Sequence, residues 1–82
     1  MSEQTVSSTN QVDIYIPLLN EGTDVIRPTK GVPLGERQYK VLPTQGYDAE
    51  SEEWQFPPGS IVTCVIETYG GKSVLVARSR IS

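Results

Sequence analysis

The sequence contains no histidine and only one cysteine, and both shortages limit its chemistry. Without histidine, the chain lacks the commonest general base and cannot form a Ser–His or Cys–His nucleophile pair. One cysteine and no histidine cannot make a usual zinc site, and a lone cysteine cannot form an internal disulfide, which agrees with a reducing compartment. Signatures of nucleotide-binding or calcium-binding loops are also missing. We therefore expect no enzymatic activity, no metal and no cofactor.

Long apolar runs and a positive net charge are missing as well. No apolar run approaches the ~18 residues of a membrane helix, and the N-terminus lacks the residue order of a signal peptide, so we expect no membrane contact and a cytoplasmic location. The net charge is −3. Because phosphate contacts dominate nucleic-acid affinity, this balance argues against a nucleic-acid partner and favours a basic protein surface.

The chain of 82 residues is long enough for one small domain. Its first eleven residues, "MSEQTVSSTNQ", hold one large apolar residue, so we expect residues 1–11 to form a disordered tail. Residues 12–82 then form a single small β domain of marginal stability. A monomer is feasible, and a weak homodimer would bury additional surface.

Period-2 alternation is the strongest pattern in the N-terminal half. In "VDIYIPLL" (12–19) alternate apolar residues share one face, as in a half-buried strand, and Pro17 favours an edge or a bulge. "NEGTD" (20–24) is a turn cluster. In "VIRPTKGVPLG" (25–35) prolines and glycines recur too often for a long strand, so we expect a strand over 25–29 and then a loop. "RQYKVLP" (37–43) alternates again.

The segment 60–81 predicts a β-hairpin around Gly70 and Gly71, a pair typical of a two-residue type I′ turn. In that register Tyr69 lies opposite Lys72. The predicted inward face comprises Val62, Cys64, Ile66, Leu75 and Ala77. The predicted outward pairs are Glu67 with Val74, Val65 with Val76, Thr63 with Arg78 and Ile61 with Arg80. Cys64 is therefore expected to be a core thiol rather than a nucleophile.

Five short strands separated by turn signals predict an all-β protein. The most economical architecture is a small five-stranded antiparallel barrel of the SH3-like kind. An open, strongly curved antiparallel sheet is the second choice. Between the third strand and the hairpin, residues 47–59 form a long connection, whose first half is expected to make one helical turn with Asp48 as its cap.

The segment "EEWQFPPGS" (52–60) holds the only Trp and the only Phe of the chain. In an extended segment Trp54 and Phe56 point to the same side. Since the core is otherwise aliphatic and small, we expect both rings to close the open end of the barrel. The competing interpretation is an exposed aromatic anchor that is rimmed by acids.

Two sets of charged residues are candidate binding groups. Glu50, Glu52 and Glu53, with Trp54 exposing at most an edge, form an acidic patch that a partner would meet. Arg27, Arg78 and Arg80, together with Lys72, could line one side of the sheet. Edge charges that prevent aggregation explain these cations equally well.

Two stretches, "LLNEGTDVIRP" (18–28) and "EEWQFPPGSIVTC" (52–64), resemble the motifs of a family of small uncharacterised bacterial proteins. That family shares an "EGTD-V-x-RP" element, a "W-x-FPPG" element and a closing hairpin. The resemblance implies a bacterial source and supplies no activity.

The hypothesis that these features favour is a non-enzymatic β-barrel adaptor that binds a protein partner. The alternative is a nucleic-acid-binding SH3-like barrel that uses the face of Arg27, Arg78 and Arg80, and it rests on analogy of fold alone. A metabolite binder ranks last, because so small a core leaves little room for a pocket of ~300 Å³.

Overall fold

The protein is an all-β barrel, as the alternation predicts. The computed structural model describes residues 10–19 and 25–82. Its five strands are β1 (Val12–Pro17), β2 (Ile26–Gly35), β3 (Gln38–Val41), β4 (Ile61–Tyr69) and β5 (Lys72–Arg80). They close into one barrel in the order β1-β2-β3-β4-β5. In these described ranges no helix could span a membrane.

The barrel closes through its one parallel strand pair, between β1 and β5. Each strand pairs antiparallel with the next one along the chain, whereas β1 and β5 pair in parallel through Tyr15 and Val76. Five strands in an up-and-down order leave the first and the last pointing the same way, so the seam between them has to be parallel. The barrel is therefore antiparallel, as predicted, at every step except the parallel seam between β1 and β5.

The predicted tail and the predicted turn cluster lie largely outside the described residues. The structure does not describe residues 1–9 of the tail or any of residues 20–24 of the turn cluster. Residues 10 and 11 are exposed and precede the first strand.

The core is aliphatic with one aromatic end. Its buried members are Ile14, Ile16, Val41, Trp54, Phe56, Val62, Cys64 and Ala77. Cys64 is fully buried, which confirms the prediction of a core thiol, and burial raises its pKa to about 11. A thiol with so high a pKa stays protonated near neutral pH and is a poor nucleophile.

The expectation of a short second strand is wrong, because β2 runs for ten residues through both of its prolines. Residues 26–31 pair with β1 and residues 31–35 pair with β3, so only Gly31 is paired on both sides. Pro28 and Pro33 each have one side without a strand neighbour among the described residues. A missing N–H is tolerated on such a side.

The hairpin has the predicted register over most of its length. Tyr69 pairs with Lys72, and the pairing continues to Cys64 opposite Ala77. Positive φ angles of 58° and 81° at Gly70 and Gly71 fit the predicted type I′ turn.

Beyond that point the predicted pairs are wrong. A bulge between Thr63 and Cys64 shifts the register, so Thr63 lies opposite Ser79 and Val62 opposite Arg80. The extra residue bends the strand, which a small barrel requires.

Two side chains of the hairpin differ from their predicted burial. Ile66 was expected inside but is 58% exposed, because it lies where the hairpin extends past β3. Val76 was expected outside but is fully buried. It pairs with Tyr15 of β1 at the barrel seam. Arg78, two residues further along β5, forms an ion pair with Glu67 of β4.

Candidate functional site

The two rings of "EWQF" close one end of the barrel. Trp54 forms an isolated bridge with Leu18, just beyond β1. Backbone hydrogen bonds flank this bridge, from Leu19 N to Glu53 O at 2.7 Å and from Gln55 N to Pro17 O at 2.9 Å. Because the segment pairs like a short strand, its alternate side chains Trp54 and Phe56 point inward and are only 4% and 5% exposed. The prediction that both rings belong to the core rather than to an exposed anchor is confirmed.

The polar edge of the plug is a network centred on Glu52. Its Oε1 accepts a hydrogen bond of 2.9 Å from Trp54 Nε1, and its Oε2 forms an ion pair with Arg27 Nη2. The hydrogen bond from Trp54, followed by that from Arg27, lowers the pKa of the Glu52 carboxyl. Tyr47 packs edge-on against the indole at a centroid distance of 4.7 Å. The indole is thus buried on its apolar faces and satisfied at its nitrogen.

Asp48 organises the acidic segment just before the plug. Its carboxylate accepts hydrogen bonds of 3.0 Å from Glu50 N and from Ser51 Oγ, which lower its pKa. Its carbonyl accepts from the backbone N–H groups of Ser51 and Glu52, both at 3.0 Å. Asp48 therefore caps a single hydrogen-bonded turn, as predicted, and no longer helix follows it in this segment.

A surface groove lies beside this network, and we call it the Pro28 groove. It consists of two adjoining cavities of about 310 and 560 Å³, which share Pro28, Thr44 and Gln45. The smaller cavity is also lined by Asp13, Thr29, Lys30 and Pro43. The larger one is also lined by Arg27, Gly46, Tyr47, Asp48, Ser51 and Glu52. Most of these residues are exposed, so the groove is an open surface feature.

The local pairing of the chain explains why a groove forms here. Thr29 is buried and its hydroxyl donates a hydrogen bond of 2.6 Å to Leu42 O, while Leu42 N donates to Lys30 O at 3.0 Å. These bonds hold the chain after β3 against the middle of β2. Pro28 precedes Thr29 in β2, so its side chain points to the opposite, outer side of the strand. It is exposed there and faces the loop that follows Pro43 across the groove.

The charges around the groove are predominantly acidic. Lys30 at one end is paired with Asp13 at 2.5 Å, and Arg27 at the other end is paired with Glu52. The segment 48–53 carries four acids and no base. Glu50 and Glu53 are exposed on this segment. Cationic groups of a partner would therefore be attracted to this end of the barrel.

The structure brings together only some of the candidate residues. Arg27, Glu52 and Trp54 form one network, and Glu50 and Glu53 lie on the same segment. Arg78 lies elsewhere, on the outer face of β5, where its Nε and Nη2 donate to Glu67 at 2.5 and 2.7 Å.

The three arginines do not share one surface in this arrangement. Arg27 lies on β2 and is held by Glu52, Arg78 lies on β5, and β1 separates these two strands. Arg80 is exposed opposite Val62, near the end of β5. The groove residues Pro28, Thr44 and Gln45 were not predicted, because no local pattern shows that the loop after β3 returns to β2.

The comparisons with protein-family models, with curated proteins and with solved structures find no match to this chain.

Proposed function

We propose that this protein is a non-enzymatic binding module that holds an extended, basic peptide segment of a protein partner in the Pro28 groove. The observation that carries the proposal is the pair of adjoining cavities that run beside the acidic segment 48–53. The resemblance of residues 18–28 and 52–64 to small bacterial proteins supports a bacterial source, and the single cysteine agrees with a cytoplasmic setting. The five-stranded meander supports an SH3-like classification.

The shape of the groove favours a chain over a small molecule. Its combined volume falls in the range of ligand sites, about 300–1,000 Å³. However, its lining residues, such as Lys30, Gln45 and Asp48, are mostly exposed, whereas a small-molecule site buries most of its ligand. An open groove instead suits an extended peptide, which contributes about 3.3 Å of length per residue.

The charges favour a basic peptide. The ion pairs of Arg27 with Glu52 and of Lys30 with Asp13 compensate the cations of the groove, so Asp48, which lines it, and the neighbouring Glu50 give it a negative field. A nucleic-acid-binding face is less well supported, because Arg27 and Arg78 are each ion-paired with a glutamate.

Selection from a displayed library of random linear peptides tests this proposal. The wild-type protein is expected to enrich peptides rich in Lys and Arg, with affinities that weaken as salt is raised. Gln45→Trp fills the part of the groove that both cavities share and should reduce the affinity at least about tenfold, a loss of about 1.4 kcal/mol.

Gln55→Trp is the matched control, because Gln55 is exposed and does not line the groove. It should leave the affinity within about twofold, a difference well under 1 kcal/mol. Failure to enrich any peptide, or equal losses in the two variants, would contradict the proposal.

A further inference from the structure

The outer part of the β4–β5 hairpin, residues 65–75, extends past its neighbours, and we call it the hairpin arm. β3 pairs with β4 only at residues 61–63, with one more hydrogen bond of 2.9 Å from Cys64 N to Arg37 O. β1 pairs with β5 only at Val76. Within the described part of the chain, no strand thus pairs with the arm along its β4 edge, and along its β5 edge Asp13 and Tyr15 of β1 lie only across a cavity. An isolated two-stranded ribbon is only marginally stable in water.

The turn geometry determines which backbone groups point outward from the β4 edge. Tyr69 and Lys72 flank a two-residue loop, and such a flanking pair exchanges both of its hydrogen bonds within the hairpin. The pattern alternates, so the N–H and C=O groups of Ile66 and Thr68 point away from β5. Cys64, two residues before Ile66, shows this alternation directly, because its N–H donates to β3.

The side chains along this edge do not protect it. Natural edge strands are usually blocked by lysines, prolines or inward-pointing charges. Here Ile66 is 58% exposed and Val65 36% exposed, and both flank the outward-pointing backbone groups. The one charged side chain between 65 and 69 is Glu67, which is already paired with Arg78. The edge therefore suits an uncharged, apolar strand.

We propose that the β4 edge of the hairpin arm is a homodimer interface, on which a second copy adds its own β4 strand antiparallel about a two-fold axis at Glu67. In this register Ile66 of each copy lies opposite Thr68 of the other. The outward N–H and C=O groups of these residues then form four hydrogen bonds between the copies. An axis at Ile66 is poorer, because it places Thr68 opposite Cys64, whose N–H is already used.

The same register explains the position of the Glu67–Arg78 ion pair. A two-fold axis at Glu67 brings the two copies of this residue face to face, and like charges directly opposite each other destabilise a strand pair. Arg78 donates twice to Glu67, and the Tyr69 hydroxyl donates to it at 3.0 Å. These contacts neutralise each carboxylate inside its own subunit, so the two copies can approach.

Sedimentation velocity on the full chain, over a range of concentrations, tests the interface. Wild type is expected to show a monomer–dimer equilibrium. Ile66→Lys places a charge on the edge and should raise the dissociation constant at least about tenfold, whereas Ser73→Lys places the same charge on the opposite edge and should change it less than about threefold. Circular dichroism spectra that match wild type establish that both variants are folded.

A charge series tests the register. Arg78→Gln exposes the facing carboxylates and should raise the dissociation constant about tenfold at pH 7, and adding Glu67→Gln in the same chain should restore it. A wild-type protein that stays monomeric at about 1 mM overturns the interface. Equal effects of Ile66→Lys and Ser73→Lys also overturn it, and an unchanged Arg78→Gln dimer overturns the axis at Glu67.

Discussion

The indole Nε1 of Trp54 donates a hydrogen bond of 2.9 Å to Oε1 of Glu52. One partner is a core residue and the other lines the Pro28 groove, so the bond couples the barrel end to the proposed binding surface. The second oxygen of Glu52 holds Arg27 of β2, which extends the coupling to the opposite wall. The buried rings and the acidic segment therefore belong to one hydrogen-bonded network.

Loss of the indole nitrogen should destabilise the fold while its apolar packing is largely kept. Trp54→Phe removes the hydrogen bond to a charged acceptor and leaves a small void, so we expect a cost of roughly 2 kcal/mol in the free energy of unfolding. Urea titration followed by circular dichroism measures it. Tyr47→Phe keeps the edge-on ring contact and should cost no more than about 0.5 kcal/mol. Equal costs in the two variants would show that the indole hydrogen bond contributes nothing.

The Glu52 network should make stability depend on pH in the acid range. A carboxyl whose pKa is lowered by folding stabilises the native state above its ordinary value of 4.5. That contribution is lost as the pH falls through the lower pKa of the folded state. Glu52→Gln should therefore be less stable than wild type at pH 7, and the difference should shrink between about pH 5 and pH 3.

Urea midpoints measured across this pH range test the prediction for Glu52. The matched control is Glu50→Gln, an exposed residue of the same segment, whose curve should follow wild type. A difference between Glu52→Gln and wild type that is independent of pH would contradict the assigned network.

Gly31 should be the least tolerant glycine of β2. A Cβ there would lie 2.8 Å from Ile14 Cδ1 and 3.2 Å from Tyr39 Cβ. The isoleucine end can rotate, but Tyr39 Cβ moves only with its backbone. Gly31→Ala is expected to cost about 1–3 kcal/mol in thermal or urea unfolding, as overpacked core substitutions do. Gly35→Ala in the same strand meets nothing closer than 3.4 Å and should change stability little.

Cys64 should react with thiol reagents only when the barrel opens. Burial raises its pKa to about 11, and its side chain is fully buried. Labelling by a disulfide reagent near pH 8 should therefore be at least about 100-fold slower in the native protein than in urea, where the thiol has its ordinary pKa near 8.5. Variants that lower the free energy of unfolding should label faster, by the same factor by which their unfolding equilibrium constant rises. Rapid labelling of the native state would contradict the buried position.

The alternation of the sequence was sufficient to predict the barrel, the core set of β1 and most of the hairpin register. It failed at β2, because a proline interrupts a strand only where its missing N–H would have paired with a neighbour. Which edge of β2 is paired at each proline depends on the closed barrel and not on the local sequence. It also failed at Ile66 and Val76, because their burial depends on where β3 ends and where β1 meets β5. Periodicity identifies a face but not the length of strand that a neighbour covers.

The candidate site was predicted only in part. Trp54, Glu52 and Arg27 were each recognised, yet their common network depends on a contact over 25 residues between β2 and the plug segment. The groove depends on the path of the chain after Pro43, which is fixed by bonds from Thr29 and Leu42. Such long-range pairings leave no local signal in one sequence.

The exposure of Trp54 decides whether its ring belongs to the buried core or to the binding surface outside it. Fluorescence of this single tryptophan, with acrylamide as the quencher, reports on the 4% exposed indole without any mutation. We expect emission at short wavelength in the native protein, and quenching several-fold weaker than in urea. Emission and quenching in the native protein equal to those of the unfolded chain would contradict it, and would identify Trp54 as part of the exposed surface.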